Sequence, residues 1–175
     1  MKEKVIQNKG IIILIASIVS AALLVPSFIA FFGEVINDVL VVRLVCYCLL
    51  LLASLTFVYY FIAKKEIDLK ALILPVALFE SAGILSSVFN IVKYNSWSSI
   101  YYAALFAAVL ILFVIYLIKQ AKMLKIALYI LLLICMVFNL LDTFTGNNVE
   151  FSRFILNLIF IGTLYLIPEG GEKQQ

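Results

Sequence analysis

The 175 residues are 66% hydrophobic and only 13% charged, with a formal net charge of +3. One water-soluble core of this length cannot enclose so much apolar surface, so the composition excludes an ordinary soluble fold and names lipid as the main solvent. The chain has no His, which excludes imidazole zinc ligation and His-based acid–base catalysis.

The chain opens on the basic segment MKEKVIQNKG and a first apolar run over 11–33. That run continues unbroken to Phe32, longer than a signal-peptide core, so a retained span is expected. Pro26 is expected to kink it, with neighbouring helices satisfying the freed carbonyl. Further runs cover 39–63, 71–92, 99–118, 126–141 and 152–167, the last followed by Pro168 and the polar tail EGGEKQQ. At ~1.5 Å rise per residue, about 20 residues cross the ~30 Å hydrocarbon core of a bilayer. The expectation is an all-α polytopic protein, one transmembrane domain over 1–175, with six helices in three consecutive hairpins.

Orientation follows from the basic residues. Arg43, Lys93 and Arg153 fall on one side of the spans and the other ten of the 13 on the opposite side. Both termini are therefore expected to be cytoplasmic, and the plasma (inner) membrane is the expected location. The turns are too short to hold a soluble domain, and no phosphate-binding Gly-rich motif occurs. Cys46, Cys48 and Cys135 all lie in apolar runs, an odd set that reads as packed thiols rather than a disulfide framework. Neither a metal site nor a cofactor is expected, and nucleic acid is not an expected partner.

A faint internal repeat accompanies the hairpins. VFN occurs at Val88–Asn90 and again at Val137–Asn139, and FVIYLI at Phe113–Ile118 parallels GTLYLI at Gly162–Ile167, both at a spacing of 49 (137 − 88 and 162 − 113). A two-span unit keeps its orientation, so such repeats would be parallel, related by an axis along the membrane normal. Shifted by 49, Glu80 falls on Tyr129; the hairpin does not require an acid there.

Glu80 is accordingly the first candidate functional residue. It lies near the middle of the third span, where an ionisable side chain costs ~2.5–3.5 kcal/mol on insertion scales and faces protein or a water-filled cavity. With Ser81 and Asn90 it is the candidate ligand or ion path. The structural alternative is a protonated Glu hydrogen-bonded to Ser or Tyr hydroxyls of neighbouring helices. No basic residue is expected at its depth.

Tyr94, Trp97, Tyr101, Asp142, Asn147 and Arg153 cluster in the turns and helix ends of the outer side. Aromatic residues at that level read first as interfacial anchors and second as a binding mouth in which rings stack on a ligand and polar groups orient it. Arg43 and Arg153 are expected to snorkel or to pair with Asp38 and Glu150. Small residues at four-residue spacing, Ala16 with Ser20 and Ala103 with Ala107, mark close helix packing, either within the bundle or against a partner membrane protein.

Enzymatic function is not expected, since Glu80 alone would have to serve as both acid and base. Two classes of function fit: a small-molecule binding or transport protein or subunit using the outer mouth and Glu80, or a regulatory, immunity or sensor-like protein acting through helix contacts with a partner. In length, six spans and cytoplasmic termini the chain resembles the substrate-binding subunits of energy-coupling-factor vitamin importers. That likeness is one of architecture, implies a docking role for the small-residue seam of the first span, and transfers no ligand-binding residue.

Overall fold

A backbone in lipid must satisfy its own hydrogen bonds, so uninterrupted runs of Leu, Ile, Val, Ala and Phe become helices whatever the β-propensity of individual residues. The computed structural model describes residues 2–31, 37–63, 69–143 and 148–166, with side chains except at 2–10, 31, 61, 63, 142–143, 148–150 and 166. The described chain contains helices α1 (Lys2–Phe31), α2 (Asp38–Ala63), α3 (Ile73–Tyr94), α4 (Ser98–Lys119), α5 (Lys122–Thr143) and α6 (Asn148–Leu166). A 3-10 turn, Leu69–Leu72, leads into α3, and no strand occurs among the described residues.

Five of these helices are long and apolar enough to cross a membrane, and a shorter apolar helix follows at Phe151–Tyr165. The protein is therefore an all-α integral membrane bundle. Its outer surface carries Ile11, Ile15, Leu52, Leu55, Ile111 and Ile130 exposed, a continuous need for apolar contact that only lipid meets over such an area.

The helix ends have local causes. The side chain of Asn37 accepts a hydrogen bond from the Leu40 N–H (2.9 Å) and caps α2. Pro75 sits in the first turn of α3, where its missing N–H has no partner to lose. Asn95 (φ 51°) and Gln120 (φ 46°) turn left-handed and end α3 and α4, and the Gln120 N–H returns to Tyr116 O at 2.8 Å. The segment KQAKMLK, expected as a turn, is largely helical because α5 begins at Lys122; Ala, Lys, Met and Leu are good helix formers, and only Gln120 and Ala121 lie between α4 and α5. The helix of α1 continues through Pro26 to Phe31.

Each helix packs on its neighbours in sequence, and α6 closes the arrangement by lying against both α5 and α1 while reaching α2 and α3. Phe160 of α6 also meets Phe113 of α4 edge to face, centroids 5.2 Å apart. Thus α6 touches all five other helices.

Small residues mark two of the helix contacts. Ser20 on α1 joins Ser54 on α2 (3.1 Å) and Ser152 on α6 (2.8 Å), a three-helix hydroxyl node. Gly83 on α3 lies against the ring of Phe106 on α4, which an added Cβ would meet at 2.6 Å. Helices α3 and α5 have the same length of 22 residues and start 49 apart (122 − 73), the register of the sequence repeat.

Candidate functional site

Three helices meet at the end of the bundle that carries the α3–α4 turn: the start of α2, the last turns of α3 and the start of α6. Between them lies a recess of about 210 Å3. From α2 it is lined by Arg43, Cys46 and Tyr47, together with Val39 and Val42. From α3 come Ser86, Phe89, Asn90 and Tyr94, and from α6 Arg153. Arg43 stands five residues beyond the start of α2 and Arg153 five beyond the start of α6 (43 − 38 and 153 − 148). At ~1.5 Å per residue both guanidiniums emanate from ~7–8 Å inside the helix ends. Equal depth on two touching helices brings both to one cavity.

The surroundings of the two arginines differ. Arg43 is exposed, whereas Arg153 is only 8% exposed. Asp38, expected as an arginine partner, instead bonds Lys93 across the α2–α3 hairpin at 3.3 Å. Its position at the first residue of α2 faces the end of α3. The side chain of Glu150, the other expected partner, lies outside the described ones. No carboxylate lines the recess among the described residues.

Below the recess, Glu80 is completely buried, at 0% exposure. Glu80, Ser87 and Tyr94 recur every seven residues and so share one face of α3. The hydrogen bonds of the structural alternative, from Ser or Tyr hydroxyls, are not made: neither carboxylate oxygen of Glu80 has a partner among the described residues. No ion pair reaches Glu80 among the described residues, in keeping with the expectation that no basic residue lies at its depth, although Arg153 acts on it electrostatically from further along the bundle. Arg153 is buried in the lining of the recess rather than snorkelling out to water. On α5, Cys135 is within the electrostatic reach of Glu80. One turn further along α6, Asn157 is also fully buried, with its amide oxygen and nitrogen both unpartnered among the described residues.

The other sequence candidates are distributed as follows. Asn90 lines the recess, and Ser81, half-buried, is not among its lining residues. Of the aromatic mouth only Tyr94 reaches the recess; Trp97 and Tyr101 are 71% and 78% exposed and stand outside it, at the level where aromatic side chains meet a membrane interface. Asn147 and the side chain of Asp142 lie outside the described residues. Ser20 is fully buried in the hydroxyl node, Ala16 packs half-buried on the core, and Ala103 and Ala107 are half-buried.

Arg43 and Cys46 were not sequence candidates for a binding site. The signal was present in the equal offset of the two arginines from their helix starts, but it requires knowing that α2 and α6 touch. Among the described residues no cluster of His, Cys, Asp and Glu is arranged to hold a metal ion.

No family model, curated protein or solved structure matches the chain, so the architectural likeness to vitamin-importer subunits assigns no residue a role.

Proposed function

We propose that the chain is a non-enzymatic membrane protein that binds a small polar molecule in the α2–α3–α6 recess, as a transport protein or a subunit of one. One observation carries this reading: a cavity inside a lipid-facing bundle is lined by charged and hydrogen-bonding side chains from three helices. Pockets that recognise small molecules combine apolar walls with a few convergent polar groups, and Val39, Val42 and Phe89 supply the walls here. Glu80 supplies the second half of the reading. A buried carboxylate is expensive in lipid, and a bundle held only by packing has no need of one.

The asymmetry of Lys and Arg supports an outward-facing recess with both termini in the cytoplasm. Ser20 turns into the bundle rather than towards a partner, which leaves the small-molecule reading the better supported.

The test is thermal unfolding of the purified protein in detergent against a panel of small metabolites: anions, cations and neutral compounds. At least one class is expected to stabilise it, since a ligand that binds only the folded state adds RT ln(1 + [L]/Kd), ~2.7 kcal/mol at a hundredfold excess over Kd. A panel without effect on the wild type refutes the reading. In proteoliposomes, Glu80→Gln is expected to leave the protein folded and reduce uptake of the stabilising compound; equal uptake removes Glu80 from the mechanism.

A further inference from the structure

We infer that Glu80 is a proton-binding site in the interior of the bundle, with the Asn157 side chain as its hydrogen-bonding partner and the recess as its way to water. This rests on the role in ligand handling given to Glu80 above and names the particle it carries. Glu80 is the one carboxylate buried among the described side chains, at 0% exposure, and stands ~21 Å along α3 from Tyr94 (94 − 80). Neither of its oxygens has a hydrogen-bond partner among the described residues, and Asn157 on α6, also 0% exposed, has none at either amide atom. Helices α3 and α6 touch. Arg153, four residues before Asn157 and so on the same face of α6, acts on Glu80 electrostatically. Polar atoms left without partners in a lipid-facing bundle are costly. An amide both donates and accepts, so Asn157 serves either state of the acid: its N–H suits the carboxylate and its oxygen suits the acid's O–H. Protonation forms one O–H bond at Glu80 with a proton taken from water in the recess, and release returns the proton there.

The geometry selects a proton over a metal cation. Glu80 is not among the residues lining the recess, and a proton needs one lone pair and no cavity. A metal cation held by oxygens asks for about six of them, whereas Glu80 and Asn157 offer three unpartnered ones under the positive charge of Arg153. The buried side chains of α3 also set the direction of access. From Glu80 towards Leu69 they are Phe79, Val76, Leu72 and Leu69, all apolar, while towards the recess stands Ser87.

Few other titratable or charged groups face this place. Helix α2 brings Cys46, whose thiol donates to Ala82 O at 3.5 Å; its charged residues, Asp38 and Arg43, stand near its start. Helix α4 packs Phe106 against Gly83; its one charged residue, Lys119, is its last, and its tyrosines lie towards its two ends. Helix α5 brings Cys135 within electrostatic reach of Glu80, with Lys122 and Lys125 in its first turn and Tyr129 between. From α6 comes Arg153, and α1 has no charged residue from Ile11 to Ala30.

The experiment uses the full chain in phosphatidylcholine nanodiscs. Infrared spectra are recorded from about pH 4 to about pH 10, a range spanning the ordinary values of carboxyl and thiol groups, and the spectrum of Glu80→Gln is subtracted at each pH. A carboxylic-acid carbonyl band is expected in the difference, present at the acid end, lost at the alkaline end and shifted on transfer to D2O. Asn157→Leu is expected to displace the pH of its loss by about one unit, a tenfold change in proton affinity and the scale of one hydrogen bond. If Glu80→Gln does not fold, Glu80→Asp replaces it and is expected to displace the same midpoint. A band that is absent, constant with pH or unmoved by D2O overturns the assignment, as does a midpoint unmoved in Asn157→Leu. A midpoint that moves when sodium chloride replaces choline chloride at constant ionic strength assigns a metal cation instead. None of these results bears on binding in the recess, which the metabolite panel decides separately.

Discussion

A methyl group added at Gly83 tests the packing of the bundle directly, because the structure holds its own control. A Cβ at Gly83 would lie 2.6 Å from Cδ2 of Phe106, whereas one at Gly162 would meet only Ile13, at 3.8 Å. Phe106 is itself buried, so its ring cannot swing aside without displacing α4 from α3. Both glycines lie within helices, and the gain in helix propensity from Gly to Ala, ~0.5–1 kcal/mol in water, largely cancels between them. The difference between Gly83→Ala and Gly162→Ala therefore isolates the steric cost, expected at ~1–3 kcal/mol in favour of Gly162→Ala. The assay is unfolding in mixed dodecyl maltoside and dodecyl sulfate micelles, read by the accessibility of the buried thiols Cys46 and Cys135 in a Cys48→Ser background. Phe106→Leu closes a double-mutant cycle, and residues in contact are expected to show coupling of at least ~0.5 kcal/mol. Equal stability of the two glycine variants, or no coupling to Phe106, refutes the α3–α4 contact.

Ser20→Ala removes the hydroxyl that joins Ser54 and Ser152; a loss of ~0.6–1.7 kcal/mol is expected for a hydrogen bond between membrane helices, with Ser152→Ala adding less than its own separate cost in the same micelle assay. Asp38→Asn breaks only an exposed pair with Lys93, and its effect is expected to stay under ~1 kcal/mol; a larger loss would show that Asp38 has a second role. Cys48 is exposed on α2 but lies ten residues from the helix start (48 − 38), well inside a bilayer. A charged maleimide added to intact membranes is expected to leave it unlabelled, and rapid labelling would show that water, not lipid, covers that face.

Much of this fold was legible in the sequence because hydropathy reports directly on the solvent. Each of the six apolar runs falls on one of the six helices, and the 49-residue spacing of VFN equals the offset between the starts of α3 and α5. What the sequence could not supply was rotation about each helix axis. Depth alone made Arg153 an interfacial residue; its azimuth on α6 makes it buried. Depth likewise grouped Tyr94 with Trp97 and Tyr101, yet only Tyr94 reaches the recess. Asp38 was offered to arginines of similar depth, and the hairpin geometry gave it Lys93.

The same distinction explains why the shortest and most polar helix can belong to a membrane bundle. Of the fifteen residues from Phe151 to Tyr165, nine are buried, against at most 44% of the apolar window in any of the five longer helices. Ser152, Arg153, Asn157 and Thr163 all point into protein, so the cost of polar groups in hydrocarbon falls on few of them. The five apolar helices act as the solvent for α6. That enclosure places Arg153 with Arg43 in the lining of the recess at one end of the bundle, so the helix that is least fit for lipid carries most of its polar side chains into protein. Replacing Asn157 with Leu is then expected to cost no stability, since neither amide atom has a partner to lose among the described residues, while changing the response to any ligand that orders the polar interior. A loss of several kcal/mol on Asn157→Leu would refute this and show that the amide is held by bonds within the bundle.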